Sequence, residues 1–183
     1  MPSIKLIIGP MFAGKTTELL RYIRMLKVIN KQYIIVKPSV DTRIDELSIS
    51  THNFDKEECI VLENMKDIYK LELDNIDTVF IDEGQFFNDL KEIVINLVEK
   101  ENKNVIISGL VSDYNRNKFG QMLELVPYGA EIIQLNALCL YCMDGTSAIF
   151  SHRRQTSNEQ VLIGAKDTYV SLCRKHYLES IRN

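Results

Sequence analysis

No apolar stretch in this chain of 183 residues approaches the ~20 residues that a membrane-spanning helix requires. Nor is there an excess of basic charge. Lys and Arg number 22 against 25 Asp and Glu, a net charge of −3, so no general field is present to gather nucleic acid. Internal repeats, low-complexity tracts and Pro- or Ser-rich linkers are missing, which leads us to expect one compact unit. The first apolar run begins by residue 4 and leaves no room for a leader peptide, so the expected setting is cytoplasmic, where thiols stay reduced. Cysteine is scarce: the four present are read as thiols or metal ligands before disulfides. What remains, 45% hydrophobic and 26% charged, is an ordinary globular composition, long enough for one domain with a core and a small appendage.

The stretch Gly9-Pro10-Met11-Phe12-Ala13-Gly14-Lys15-Thr16, continued by Thr17, fits G-x-x-x-x-G-K-[ST]. Ile4 to Ile8 before it reads as a short buried strand. Leu19, Leu20, Ile23 and Leu26 after it have helical spacing. A strand, a glycine-bounded loop and a helix start converge backbone N–H groups and the positive end of a helix dipole on one point, where a phosphate binds. Lys15 would reach the β- and γ-phosphates of ATP, and the Thr16 hydroxyl would ligate Mg²⁺.

Further along, apolar strands alternate with helices. Tyr33 to Val36 is a strand ended at Pro38, and Asp41 to Asp55 is a polar loop placed to close over a ligand. Cys59 to Leu62 is a short strand in which Cys59 is a buried small hydrophobe, and Asn64 caps a short helix to Leu71. Thr78 to Ile81 ends in Asp82 and Glu83. An amphipathic helix covers Asn88 to Lys100, Asn104 to Ser108 is a buried strand, and a loop runs from Gly109 to about Gly120. Met122 to Val126 is one or two helical turns stopped by Pro127, and Ala130 to Leu135 is a last strand. This order predicts an α/β fold: a parallel P-loop sheet with helices on both faces, in residues 1–136, binding its ligand at the carboxyl ends of the strands.

From residue 137 the pattern changes. Cys139 and Cys142 are followed thirty residues later by Cys173 and His176. Two pairs, each with two residues between ligands, suit a closed structural Zn²⁺ site with no position left for water. Residues 137–183 are therefore expected to form a small zinc-binding unit. Ser151 to Gln160 reads as a long polar loop, Val161 to Gly164 as a hairpin strand leading to Tyr169, and the residues from Tyr177 as a fraying tail.

Asp82 is the natural magnesium partner. Glu83 either accepts a proton from an attacking hydroxyl or positions water for hydrolysis, and the residues alone leave both open. Arg43 and Arg116 lie in loops, where each either neutralises transferring charge or is solvated. Gln85, Phe86, Phe87, Tyr114 and Phe119 suggest a flat heterocycle stacked and hydrogen-bonded at its edge, against the commoner fate of phenylalanine as core.

Taken together, Gly9 to Leu19, Asp41-Thr42-Arg43, Ile81-Asp82-Glu83-Gly84-Gln85-Phe86-Phe87, Phe119-Gly120, Cys139/Cys142, Ile163-Gly164 with Tyr169, and Cys173 to His176 resemble the zinc-containing (type II) thymidine kinases. The resemblance spans residues 4 to about 177. It implies transfer of the ATP γ-phosphate to the 5′-hydroxyl of thymidine. Glu83 then matches the catalytic base, Asp82 the magnesium-linked acid, and Arg43 the arginine near the transferring phosphate. Met11, Phe86, Leu110, Tyr114 and Phe119 match positions around the base. Asn158, Glu159, Gln160, Val161, Leu162 and Ile163 match a loop, the lasso, whose backbone reads the base edge. Ser151 matches a residue near the thymine methyl, and Tyr169 a tyrosine at the sugar end. The resemblance also implies a homotetramer inhibited by thymidine triphosphate. The chain departs from the family pattern at Val111, often aspartate, in a Cys142 to Ser151 segment about two residues longer, and at His176, often cysteine. Against this stands a second reading, a P-loop ATPase whose zinc knuckle binds nucleic acid: the net charge of −3 and the absence of a basic stripe count against it, and Arg153-Arg154 and Arg174-Lys175 are the only short basic clusters near the knuckle.

Overall fold

The computed structural model describes residues 1–41, 48–50, 56–154, 160 and 168–182. Strand β1 (Ile4–Ile8) leads into helix α1 (Lys15–Val28), then β2 (Tyr33–Pro38), β3 (Ser48–Ser50), β4 (Lys56–Glu58) and β5 (Ile60–Leu62). A 3₁₀ helix (Met65–Lys70) precedes β6 (Thr78–Ile81), and a 3₁₀ turn (Gly84–Phe86) precedes α2 (Leu90–Glu99) and β7 (Asn104–Gly109). A third 3₁₀ helix (Met122–Tyr128) leads to β8 (Glu131–Gln134), the small strands β9 (Ala137–Leu138) and β10 (Ser147–Ala148), then β11 (Phe150–Arg153), β12 (Tyr169–Leu172) and α3 (Arg174–Ser180).

The main sheet has the order β5-β2-β6-β7-β1-β8 and every described pairing in it is parallel. Parallel strands need crossovers, which place helices on the faces. On one face α1 buries Leu19, Leu20 and Ile23 against Ile7, Ile35, Phe80 and Ile106. On the other, α2 buries Leu90, Ile93, Val94 and Leu97 against Leu6, Val79, Ile81 and Ile107. Each such side chain contributes about 1.5–3 kcal/mol through removal from water. The α/β architecture read from the sequence is the one observed.

Several local expectations are corrected. The polar stretch from Asp41 to Asp55 is not loop throughout. β3 and β4 pair antiparallel, and Ile49, at 2% exposure, packs into the core beneath α1. Pro127 does not stop its helix but lies inside it, and the chain turns instead at Gly129, whose φ of 78° is left-handed. That turn is closed by the Gly129 N–H on the Val126 carbonyl at 3.1 Å, a bond that Pro127 does not have to donate. Ser151, placed in a loop from sequence, is in β11, paired with β12. The residues from Tyr177 are not a tail to Ser180: Tyr177 is 1% exposed within α3. Cys59 is buried beside the α1 face, as expected.

At its C-terminal end the chain builds a third cluster from Ala137, Cys139, Ala148, Val170, Leu172, Cys173 and Tyr177. Tyr177 fastens it to the sheet unit by donating its hydroxyl to the Tyr114 carbonyl at 2.7 Å. Tyr177→Phe should therefore cost about 1 kcal/mol of unfolding free energy and Tyr177→Ala about 3–5 kcal/mol, as read by chemical denaturation. Values near zero for both would return the residue to a frayed tail.

Candidate active site

The loop between β1 and α1 is held in a demanding backbone geometry. Phe12 and Gly14 have φ of 64° and 82°, both left-handed, and a Cβ on Gly9 would lie 2.4 Å from the Leu135 carbonyl oxygen. A non-glycine residue such as Phe12 adopts this region at a cost, and such strain gathers at binding sites. Lys15 opens α1, is 8% exposed, and folds its ammonium back over the loop to the Pro10 carbonyl at 2.9 Å.

Opposite the loop, β6 delivers Asp82 and Glu83, both buried. β6 lies between β2 and β7, so its end emerges inside the molecule. Asp82 accepts from the Thr16 hydroxyl at 3.3 Å and from the Ser108 hydroxyl at the end of β7. Glu83 is turned elsewhere by its own backbone, at φ 52° and ψ 43°. Its carboxylate accepts from the Gln85 amide at 2.5 Å, and the Gln85 side-chain oxygen accepts from the Leu110 N–H at 2.9 Å. Phe86 and Phe119 meet edge to face at 5.4 Å between ring centres. The two neighbouring acids therefore serve two directions, one toward the loop and Thr16, the other toward Gln85.

Ser151 reaches this centre from β11 and accepts the Met11 N–H at 2.9 Å. Two residues along the same face, Arg153 is 5% exposed. Its guanidinium lies 3.9 Å from the centre of the Tyr114 ring, donates to the Tyr169 hydroxyl at 2.8 Å and donates to the Gln160 carbonyl at 3.1 Å. Gln160 also donates its amide to Asp113 at 3.1 Å. Asp113 in turn accepts the N–H groups of Asn115 and Asn117 at 2.9 and 2.8 Å, so a carboxylate organises this loop even though position 111 is valine.

The donor atoms of Cys139, Cys142, Cys173 and His176 all lie within 4.8 Å of one another. Bond lengths of about 2.3 Å to sulfur and 2.0–2.1 Å to nitrogen give tetrahedral edges of about 3.8 Å between sulfurs and 3.6 Å from sulfur to nitrogen. The Cys142 and Cys173 sulfurs are 3.8 Å apart, and His176 Nδ1 stands 3.3–3.5 Å from the three sulfurs. The set fits Zn²⁺. Burial resists ionising Cys139, but N–H groups of Cys173, Cys142 and Tyr141 outweigh it and bring that thiol down to about 6. Burial and the neighbouring sulfurs push Cys142 up to about 11. Cys139 and Cys142 thus stand on opposite sides of the ordinary thiol range, and a divalent cation bound between them would favour the thiolate of both.

Residues 2–177 match the family described as thymidine kinase. The chain belongs to the thymidine kinase family. It is 36% identical over 181 residues to a thymidine kinase of Oryza sativa subsp. japonica, covering 96% of this chain and 66% of that one. It is 37% identical over 183 residues to the thymidine kinase of Amsacta moorei entomopoxvirus, covering 97% and 99%. With the cytosolic thymidine kinase of Gallus gallus the identity is 35% over 176 residues, covering 96% and 77%.

Set beside the thymidine kinase expectations, the structure bonds Thr16 to Asp82, sets Glu83 next to Asp82 with its carboxylate on Gln85, and turns Lys15 to the Pro10 carbonyl of the loop. Met11, Phe86, Leu110, Tyr114, Phe119, Ser151, Gln160 and Tyr169 belong to the surrounding elements. Gln85 is 2% exposed with its amide engaged by Glu83 and Leu110, so its side chain is internal. Arg43, Asn158, Glu159, Val161, Leu162 and Ile163 lie outside the described residues. Sequence reasoning missed Ser108, Asp113 and Arg153. From sequence Arg153 falls in the polar loop Ser151 to Gln160 and in the short basic pair Arg153-Arg154. The signal available was the two-residue spacing from Ser151, but a strand whose inward face is polar leaves no apolar alternation to find. Among the described residues no helix is long and apolar enough to cross a membrane.

Cys139→Ser should lower bound zinc from about one ion per chain to a small fraction, read by metal analysis, and loosen the β9–β12 region to proteolysis. Undiminished zinc would remove the cluster from that role.

Proposed function

We propose that this chain phosphorylates thymidine, passing the γ-phosphate of ATP to the 5′-hydroxyl to give thymidine monophosphate in nucleotide salvage. The observation that carries the reading is the divergence of Asp82 and Glu83 at one strand end. One acid is bonded to the Thr16 hydroxyl beside the phosphate loop, and the other is bonded to Gln85, the neighbour of Phe86. An acceptor alcohol and a polyphosphate need such a pair of neighbouring but separately oriented carboxylates.

In this reading the N–H groups of residues 9–14 and the Lys15 ammonium bind the phosphates of ATP. Thr16 and Asp82 would hold Mg²⁺, which supplies charge neutralisation at the β- and γ-oxygens when bound. Glu83 accepts the proton of the 5′-hydroxyl as the bond to phosphorus forms and the bond to the β,γ-bridging oxygen breaks. Phosphoryl transfer of this kind asks for position more than for strong basicity, which suits a carboxylate held by an amide. Arg43 is assigned to the transferring phosphate by the resemblance alone. Met11, Phe86, Leu110, Tyr114 and Phe119 surround the thymine. The stretch Asn158 to Ile163 closes on its edge, Ser151 lies toward its methyl, and Tyr169 serves the sugar. Arg153 holds the Gln160 end of that stretch against Tyr114 and Tyr169, and Zn²⁺ in Cys139, Cys142, Cys173 and His176 fastens the far side. A cytoplasmic setting, a homotetramer, inhibition by thymidine triphosphate and a division into residues 1–136 and 137–183 complete the proposal.

The nucleic-acid reading loses one of its basic residues, because Arg153 is internal, and leaves Arg154, Arg174 and Lys175 exposed on a chain of net charge −3. Incubation with radiolabelled thymidine and ATP tests the choice: labelled thymidine monophosphate supports the kinase. Phosphate release that requires DNA and leaves thymidine untouched would replace it. Glu83→Gln should keep the thymidine dissociation constant within a few-fold and lower kcat by roughly 10²–10⁴-fold. Native-like turnover would remove Glu83 as the base.

A further inference from the structure

Gln85 sits two residues beyond the proposed base and its amide is fixed at both ends. Its side-chain oxygen accepts the Leu110 N–H at 2.9 Å, which orients the amide so that its nitrogen faces Glu83 and donates at 2.5 Å. The backbone comes close to it at two points where glycine leaves out the Cβ. A Cβ on Gly109 would stand 2.3 Å from the Gln85 side-chain oxygen, and one on Gly120 would stand 2.4 Å from the Gln85 carbonyl oxygen. Gly120 also has φ of 65°. Two glycines at opposite ends of the loop 109–120 thus let the loop close directly on this one glutamine. Phe119, next to Gly120, packs edge to face on Phe86, next to Gln85.

We infer that Gln85 is a positioning residue: it ties the carboxylate of Glu83 to the start of the loop that bounds the nucleoside, and so sets the base in register with its substrate. The inference rests on the kinase reading above. It assigns Gln85 no contact with thymine, in contrast to what residue type alone suggests. An amide is suited to the task because it accepts from a backbone N–H with one atom and donates to a carboxylate with the other. No carboxyl or aliphatic side chain of that length does both at neutral pH.

Gln85→Leu keeps the size and removes both bonds. It should lower kcat roughly 10- to 100-fold, the scale of a displacement of about 1 Å at a reacting group, while the thymidine dissociation constant by calorimetry stays within about threefold. Gln85→Glu keeps an acceptor for Leu110 but sets a second carboxyl beside Glu83, where two such groups share one proton and the second ionisation is raised. Its kcat should fall as pH rises from 6 to 9, a trend absent from the native protein, because full ionisation drives the two carboxylates apart. Zinc content and melting temperature of each variant report whether the fold is kept.

A native kcat for Gln85→Leu overturns the inference. So does loss of thymidine affinity with kcat unchanged, which would make Gln85 a substrate contact. If Gln85→Leu does not fold, Gln85→Glu decides, and a pH profile parallel to the native one overturns the inference. A native protein that does not phosphorylate thymidine at all overturns the kinase reading itself, separately from any variant.

Discussion

Two carboxylates have to be kept side by side below the protein surface at the end of β6, and much of the molecule is arranged to allow it. Like charges so close repel, and each loses water on burial. The structure answers by dividing their partners. Asp82 is served by hydroxyls from α1 and β7, while Glu83 turns through a left-handed backbone to an amide. The division depends on sheet order. With β6 between β2 and β7, and β1 beyond β7, the phosphate-type loop and the end of β7 fall on the same rim as the two acids. A register slip in β6 would exchange the faces of every residue in it and carry Asp82 away from Thr16.

The second requirement is a cover for that rim, and here side chains cross between segments far apart in sequence. Ser151 accepts from Met11, Tyr177 donates to Tyr114, and Arg153 joins Tyr114, Tyr169 and Gln160. A guanidinium is suited to this because its flat face packs on an aromatic ring while its edge donates in several directions. The zinc-type cluster lies behind the same hairpin. The cover is thus fastened at one end by a cation on rings and at the other by a metal-binding knot.

How much of this was legible from sequence follows the physics of each part. The parallel sheet was legible because fully buried strands are continuous apolar runs, as in Val79-Phe80-Ile81, and because α2 repeats its apolar residues at helical spacing. The loop from Gly9 to Thr16 and the Cys/His pairs were legible because their chemistry dictates fixed spacing. β3 was not, since Ser-Ile-Ser offers one apolar residue and its burial beneath α1 is a tertiary fact. Ser151 and Arg153 were misread because a strand that turns polar groups inward looks like a loop. Pro127 misled because a proline that ends an α-helix is accommodated within the tighter 3₁₀ turn before Gly129. The task of Gln85 was hidden by its flat amide: burial and the bonds to Glu83 and the Leu110 N–H, which no spacing announces, distinguish an internal strut from a ligand contact.

The Cys/His cluster has one more consequence. Cys139 and His176 are 37 residues apart, so an ion held between them closes a ring that contains β10, β11 and β12. Such a ring is a reversible cross-link, and its contribution to stability grows with the logarithm of free ion over dissociation constant. With an ion bound there, the rigidity of the roof over that rim would follow trace-element supply as well as the amino acids, so a cell short of the ion would hold chains with an intact floor and a slack roof.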